Sequence, residues 1–284
     1  MNRFHRLIEL TQYFIPPAFL DVARFVNTFV RQCSRVDKAI VAKNVVFKDC
    51  RKGKRCFIIG NGPSLASQDL TCLKDEITFV MNAFFKHPVV HHWQPTYYFI
   101  ADPLFFDGSE PSNQFFSDLR ARITKTTIFV PLRSHETIQE LGFYPLDHTW
   151  FVNFTGVLAN GDYDWPDLAR SIPGVQNVAQ FAIMAAMYMG CSPIYLLGLD
   201  HDWLGHTGIH KAFYQGPSLP NHPAAFNGDL SKFSYKDIAQ DIVTLWMGYE
   251  VLRQVAITKG VQILNATSGG FLDVFERVRF DDIL

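Results

Sequence analysis

KRCFIIGNGPSL, residues 54–65, decides the fold. A basic turn at residues 51–55 (RKGKR) leads into four apolar residues, Cys56, Phe57, Ile58 and Ile59, which stop at Gly60. A short apolar run bounded this way reads as a strand covered on both faces, as in a parallel sheet. The next residues, Gly60-Asn61-Gly62-Pro63-Ser64, turn the chain sharply. In such a strand-to-helix turn, backbone N–H groups can approach an anion and the helix start adds a favourable dipole. The turn is neither GxGxxG nor a Walker A loop, because no Lys-Ser/Thr follows the glycines. Working outward, strands are expected at residues 77–81, 96–101, 127–131, 149–153, 193–197 and 261–265. Residues 178–189 (VAQFAIMAAMYM) are apolar nearly all round, so that helix is expected between layers. Residues 238–259 place Ile242, Leu245, Trp246, Tyr249, Leu252 and Val255 on one helical stripe. Strands alternating with helices predict a Rossmann-like α/β fold, a mostly parallel sheet with helices on both faces. Residues 201–235 are rich in Gly, Pro, His, Asn and Ser without periodicity, and read as a lid or binding loop.

With 284 residues, 48% hydrophobic and 19% charged, the chain has material for one large core and is not globally disordered. The net charge of −1 argues against coating nucleic acid, and no nucleic-acid partner is expected. That sum hides a split. Residues 1–55 carry twelve Lys/Arg against four acids, a charge of +8, which leaves −9 for residues 56–284. Residues 1–48 therefore read as a basic N-terminal helical extension and residues 49–284 as the Rossmann-like domain proper. Within the extension, residues 19–36 place Leu20, Val22, Phe25, Val26, Phe29 and Val30 at helical spacing, after a break at Pro16 and Pro17. Two readings of that helix stand. It packs on the domain or on a second copy in a homo-oligomer, or its basic face touches an anionic membrane. The five cysteines are scattered without metal spacing and read mostly as small core residues in a reducing compartment. Without a secretory leader or a long apolar run, the location expected is cytoplasmic, with peripheral contact at the inner membrane face.

Three groups of residues carry the chemistry. The glycine turn, with Gly60, Asn61, Gly62, Pro63 and Ser64, ends the first strand. Asn82 and Asp102 close the next two, where polar groups at neighbouring carboxyl ends converge on one crevice. Gly198, Asp200, His201 and Asp202 end the strand at 193–197 and open a loop containing His206, His210, Lys211, Tyr214 and His222. No cysteine and no HExxH accompany these histidines, so no metal site is expected.

The segments KRCFIIGNGPSL, ITFVMNAFF, TYYFIADPLFF, NVAQFAIMAAMYMGCSPIYLLGLDHDW and ILNATSGGFLDVFERV carry a resemblance over about residues 50–280. The chain resembles the bacterial relatives of domain of unknown function 115, the family named after archaeal 6-hydroxymethylpterin diphosphokinase MptE. It is similar in layout to the glycosyltransferase family 42 sialyltransferases and to the central domain of the motility accessory factor glycosyltransferases. The sialyltransferase likeness implies a nucleotide on Asn61, Gly62, Pro63 and Ser64, with Asn82 and Asp102 beside it. It also puts Asn177, with Val178 and Ala179, where those enzymes have a Thr-Ser-Gly that grips the nucleoside. Past Gly198, the place of their phosphate-holding tyrosines is taken by His201 and Asp202.

The leading reading is a transferase that moves a nonulosonic-type sugar from a CMP-linked donor to a surface-glycan acceptor. Amides of the 60–65 turn would cradle the nucleotide. His201, Lys211 and Tyr214 would meet the leaving phosphate, and His201, His206 or His210 would serve as base, with Asp200 and Asp202 supporting. No cofactor is required. The alternative is a pterin-type pyrophosphokinase using ATP and magnesium, with Asp102, Asp200 and Asp202 on the metal. A non-catalytic nucleotide-binding protein is the third reading.

Overall fold

β1 (Cys56–Ile59) is wholly buried because both of its faces are covered. In the computed structural model, which describes residues 35–142, 145–161, 163–202, 212–214 and 234–284, β1 lies between two parallel neighbours. These are β2 (Ile77–Met81) and β7 (Ile194–Leu197). Beyond β2 follow β3 (Tyr97–Phe99), β4 (Thr127–Pro131), β5 (Thr149–Thr155) and β6 (Ser171–Pro173). Beyond β7 follow β8 (Ile263–Asn265) and β9 (Glu276–Arg277). The order is β6-β5-β4-β3-β2-β1-β7-β8-β9, and every pair is parallel, not merely most of them. The chain thus runs outward from β1 to β6 and resumes on the other side of β1 at β7. That reversal opens a crevice at the carboxyl ends of β1 and β7.

Alternation along β1 divides the core. Cys56 and Ile58 face the layer of the central helix, while Phe57 and Ile59 face the opposite layer. On the first side lies a helix at Val178–Tyr188, all of whose residues are buried, as the near-continuous apolar sequence requires. The helix Tyr235–Thr258 covers it, burying Leu245, Tyr249 and Leu252. Gln180 Nε2 donates to Leu245 O at 2.9 Å between the two. On the other side Phe115, Phe116 and Leu119 of Glu110–Arg122 pack on the sheet. Among the described residues the α-helices are, in chain order, α1 (Arg35–Ala42), α2 (Glu110–Arg122), α3 (His135–Leu141), α4 (Val178–Tyr188) and α5 (Tyr235–Thr258).

Several expectations are revised. β6 and β9 were not anticipated, because three residues of mixed burial and two exposed ones leave no apolar run. The strand expected at 96–101 contracts to β3. Thr96 and Thr78 there exchange hydrogen bonds, each hydroxyl accepting from the other's N–H at 3.2 and 3.1 Å. A boundary after residue 48 falls inside the packed body. Asn44, fully buried, donates Nδ2 to Phe151 O and Leu168 O at 2.8 Å, and Phe47 packs edge-on against Trp150. Of the described cysteines, Cys56 and Cys191 are buried and Cys50 and Cys72 exposed, all as free thiols. Among the described residues no helix is long and apolar enough to cross a membrane. The helix expected at 19–36 lies outside them except for its last two residues, as does most of the 201–235 loop.

Candidate functional site

The end of β1 is tied to the end of β7. Gly60 N–H donates to Leu197 O and Gly62 N–H to Gly198 O, each at 2.8 Å. Asp200 then reaches back over the turn. Its Oδ1 accepts from Ser64 N–H at 3.1 Å and its Oδ2 from Ser64 Oγ at 2.8 Å. Leu65 N–H donates to Gly62 O at 3.3 Å, and Pro63 has no N–H to give. Four of the five N–H groups between Gly60 and Leu65 are thus engaged within the protein, which leaves Asn61 N–H as the turn's amide for the phosphate cradle expected there. The engaged four belong to Gly60, Gly62, Ser64 and Leu65, and at Ser64 the chain's own carboxylate sits where an anion would. The turn runs on into a single 3-10 segment, Pro63–Ser67, too short for a helix dipole of consequence.

Asp200 is only 6% exposed, and burial pushes its carboxyl above the ordinary range while the Ser64 hydrogen bonds pull the other way. With both oxygens engaged, Asp200 holds the turn in place and is poorly placed to be a base. Its closeness explains Gly62, where a Cβ would fall 1.7 Å from Asp200 Oδ2. Gly198 takes a left-handed φ of 63°, and a Cβ there would strike Leu65.

Two of the three described non-glycine residues with positive φ belong to this crevice: Asn82 at 49° and His201 at 47°. Such backbone persists where surrounding bonds over-determine it. For Asn82 the bonds come from Tyr98, whose hydroxyl donates to Asn82 O at 2.5 Å and accepts from Phe85 N–H at 3.1 Å. Asn61 is held by its Nδ2, which donates to Met81 O at 3.0 Å. The other amide atoms, Asn61 Oδ1 and Asn82 Oδ1, are buried and accept no hydrogen bond.

His201 is fixed through Tyr249. The phenol oxygen accepts from Asn177 Nδ2 at 2.9 Å and lies 2.8 Å from His201 Nε2. Burial pushes the Tyr249 phenol up, so it keeps its proton. Where the phenol donates that proton to Nε2, the imidazole N–H lies on Nδ1; where Nε2 carries the proton, it donates to the phenol oxygen. Asn177 meanwhile caps α4, its Oδ1 accepting from Gln180 N–H at 3.0 Å. Replacing Tyr249 with Phe leaves Asn177 Nδ2 and His201 Nε2 without this partner. A loss of about 2 kcal/mol is expected in urea unfolding, typical of buried polar groups left unpaired.

A cleft of about 190 Å³ joins these parts. Its lining includes Gly60, Asn61, Gly62, Asn82 and Asn177 together with Gly198, Asp200, His201, Asp202 and Tyr214. Tyr214 arrives because Phe213 N–H donates to Asn61 O at 3.0 Å and the Phe213 ring packs edge-on to His87. Pro63 and Ser64, expected in the site, are not part of the lining. Asp102 does not join it. That residue is exposed, and its carboxylate accepts from Leu104 N–H at 2.9 Å as the cap of the turn Pro103–Phe106. Its strand, β3, stands two places from β1 in the sheet, beyond the crevice. His206, His210, Lys211 and His222 lie outside the described residues.

Sequence reasoning missed three contributors. Tyr249 and Tyr98 were hidden in apolar patterns, where only a hydroxyl's need for a partner could have marked them. Lys86 carries its Nζ 4.7 Å above the Tyr214 ring, with burial lowering its pKa.

Sheet order, crevice and strand-end polar groups together define a Rossmann-like α/β protein with a cleft at its topological switch point. The 6-hydroxymethylpterin diphosphokinase MptE-like family matches residues 28–206, more than half of the chain, and the protein belongs to that family. Among solved structures it is similar to the MAf glycosyltransferase from Magnetospirillum magneticum AMB-1, at 13% sequence identity and a TM-score of 0.48. That likeness covers 87% of this chain and 38% of the glycosyltransferase chain, so this protein spans well under half of its length. No curated protein matches the sequence.

Proposed function

We propose that the protein is a transferase that takes a sugar of the nonulosonic-acid type from a CMP-linked donor and passes it to a surface-glycan acceptor. One observation carries this reading: Asn61 Oδ1 and Asn82 Oδ1 are buried beside the cleft with no donor. A buried acceptor left unpaired costs about 1–3 kcal/mol, so a ligand that supplies donors is favoured there. A cytosine amino group and ribose hydroxyls are such donors. A phosphate offers only acceptors, and the Asp200 carboxylate would repel it. The nucleoside therefore belongs against Asn61 and Asn82, with its phosphate directed toward His201.

With the Tyr249 phenol donating to Nε2, His201 presents an N–H on Nδ1 and acts as a donor that offsets charge on the departing phosphate. The base that takes the acceptor's proton is then His206 or His210, and Lys211 and Tyr214 add to phosphate binding. Asp202 remains to orient groups at the mouth.

Membership of a family named for a diphosphokinase favours a second reading, pyrophosphoryl transfer from ATP with magnesium. Two of the three carboxylates proposed for that metal do not fit it. Asp102 is exposed and absent from the cleft lining, and both Asp200 oxygens accept from Ser64.

Thermal shift separates the readings. CMP without magnesium is expected to raise the melting temperature. Asn82→Gly, which keeps the left-handed backbone and deletes the amide, should weaken CMP about tenfold. A shift with ATP and magnesium alone would overturn the proposal in favour of the second reading. No shift with any nucleotide overturns both.

A further inference from the structure

Residues 43–54, KNVVFKDCRKGK, hold five basic residues and one acid. The 3-10 turn Lys43–Phe47 directs Asn44 inward onto Phe151 O and Leu168 O and Phe47 onto the Trp150 ring. The same geometry turns Val45 and Val46 outward, 57% and 62% exposed. Lys43 and Lys48 flank them in the chain and Lys52 and Lys54 follow; all four are exposed, and none makes an ion pair among the described residues. This surface is fastened to the body. Asp49 N–H donates to Tyr188 O at 3.1 Å, Arg51 N–H to Met189 O at 2.8 Å and Gly53 N–H to Gly190 O at 2.8 Å. Arg51 Nε also donates to the Tyr97 hydroxyl at 3.0 Å.

Two outward valines on a turn bonded to the body, with exposed lysines before and after them in the chain, suit a surface that is apolar below and anionic above. We infer that this face docks on a bilayer carrying anionic headgroups, with Val45 and Val46 entering the interface and the lysines meeting lipid phosphates. Two valines are too little apolar area for a stable protein interface. The patch has no outward aromatic ring to stack on a base, since Phe47 faces the core. The residues before Arg35 carry the same sign, with Arg3, Arg6, Arg24 and Arg31 against Glu9 and Asp21.

The position has a consequence for function. Residues 51–55 enter β1 at its amino end, whereas the cleft lies at the carboxyl ends of β1 and β7. A docked protein keeps its cleft a strand length, about 13 Å, farther from the lipid and open toward solvent. It could then draw a soluble donor while remaining close to a membrane-held acceptor.

Co-sedimentation of the full chain with vesicles tests this. Binding is expected to phosphatidylcholine vesicles containing phosphatidylglycerol, not to phosphatidylcholine alone, and to fall as salt rises. Lys43→Glu/Lys48→Glu should weaken it about 30-fold or more, and Val45→Glu/Val46→Glu comparably, with melting temperature unchanged because all four side chains are exposed. Four results would overturn the inference. They are no vesicle binding, equal binding without phosphatidylglycerol, unchanged binding by both variants (placing contact in residues 1–34), and binding by DNA but not vesicles that the variants abolish.

Discussion

Phe181→Ala is expected to destabilise the protein by about 4 kcal/mol, read as a fall in the urea midpoint at constant slope. Phe181 lies in α4 with no exposed surface. Its ring meets Phe99 of β3 edge-on at 5.0 Å and Phe154 of β5 edge-on at 5.0 Å. Truncation removes both ring pairs and leaves a cavity that little can fill. The sheet bounds it on one side, and α5 holds α4 from the other through Gln180 and Leu245. Helix α4 also begins at Asn177, which positions Tyr249 and through it His201. Any shift of α4 into the cavity therefore reaches the cleft, so the response to CMP should weaken along with the stability. Phe271→Ala is the control. Phe271 is 54% exposed, and its loss should stay within about 0.5 kcal/mol. A Phe181→Ala loss no larger than the control's would mean that α4 is not packed between two layers.

The sequence disclosed the buried centre of the fold better than its edges. The expected bounds of β1, β2 and β4 match the structure residue for residue. Central strands covered on both faces must be apolar throughout, and that requirement is written into adjacent residues. Edge strands such as β6 and β9 need only a few backbone hydrogen bonds, which composition does not record. The cleft divides the same way. Gly60, Gly62 and Gly198 mark themselves as turn residues at strand ends. The clasp of Asp200 on Ser64 joins positions 136 residues apart and has no local trace, so every amide of the turn looked open to an anion. Asp102 misled for a topological reason: a strand-end acid reads the same wherever its strand stands, and only the sheet order moves β3 away from the crevice. Tyr249 looked like one more apolar position on α5, because periodicity reports the ring and not the hydroxyl.

Gly62→Ala is expected to cost about 3 kcal/mol and to abolish the thermal response to CMP. Backbone conformation is not the reason, since φ −64° and ψ 157° suit any residue. The cause is contact. The new Cβ would stand 1.7 Å from Asp200 Oδ2, 2.5 Å from its Cγ and 2.7 Å from Gly198 O. If Asp200 rotates away, a buried carboxylate gives up both Ser64 hydrogen bonds. If the turn moves instead, the Gly62 N–H to Gly198 O bond breaks and Asn61 Oδ1 leaves the position where a nucleoside would meet it. Asp200→Ala alone strands the Ser64 N–H and hydroxyl, a loss of about 2 kcal/mol. In the double variant the two shortest contacts vanish, although the approach to Gly198 O remains. Its total loss should therefore fall below the sum of the single losses by about 1–2 kcal/mol, a coupling measurable in a double-mutant cycle. Strict additivity would show that Gly62 and Asp200 do not pack on one another. A Gly62→Ala protein with parental stability and an undiminished CMP response would go further. The Asp200 clasp would not close the turn, and its amides beyond Asn61 would be open to hold a phosphate.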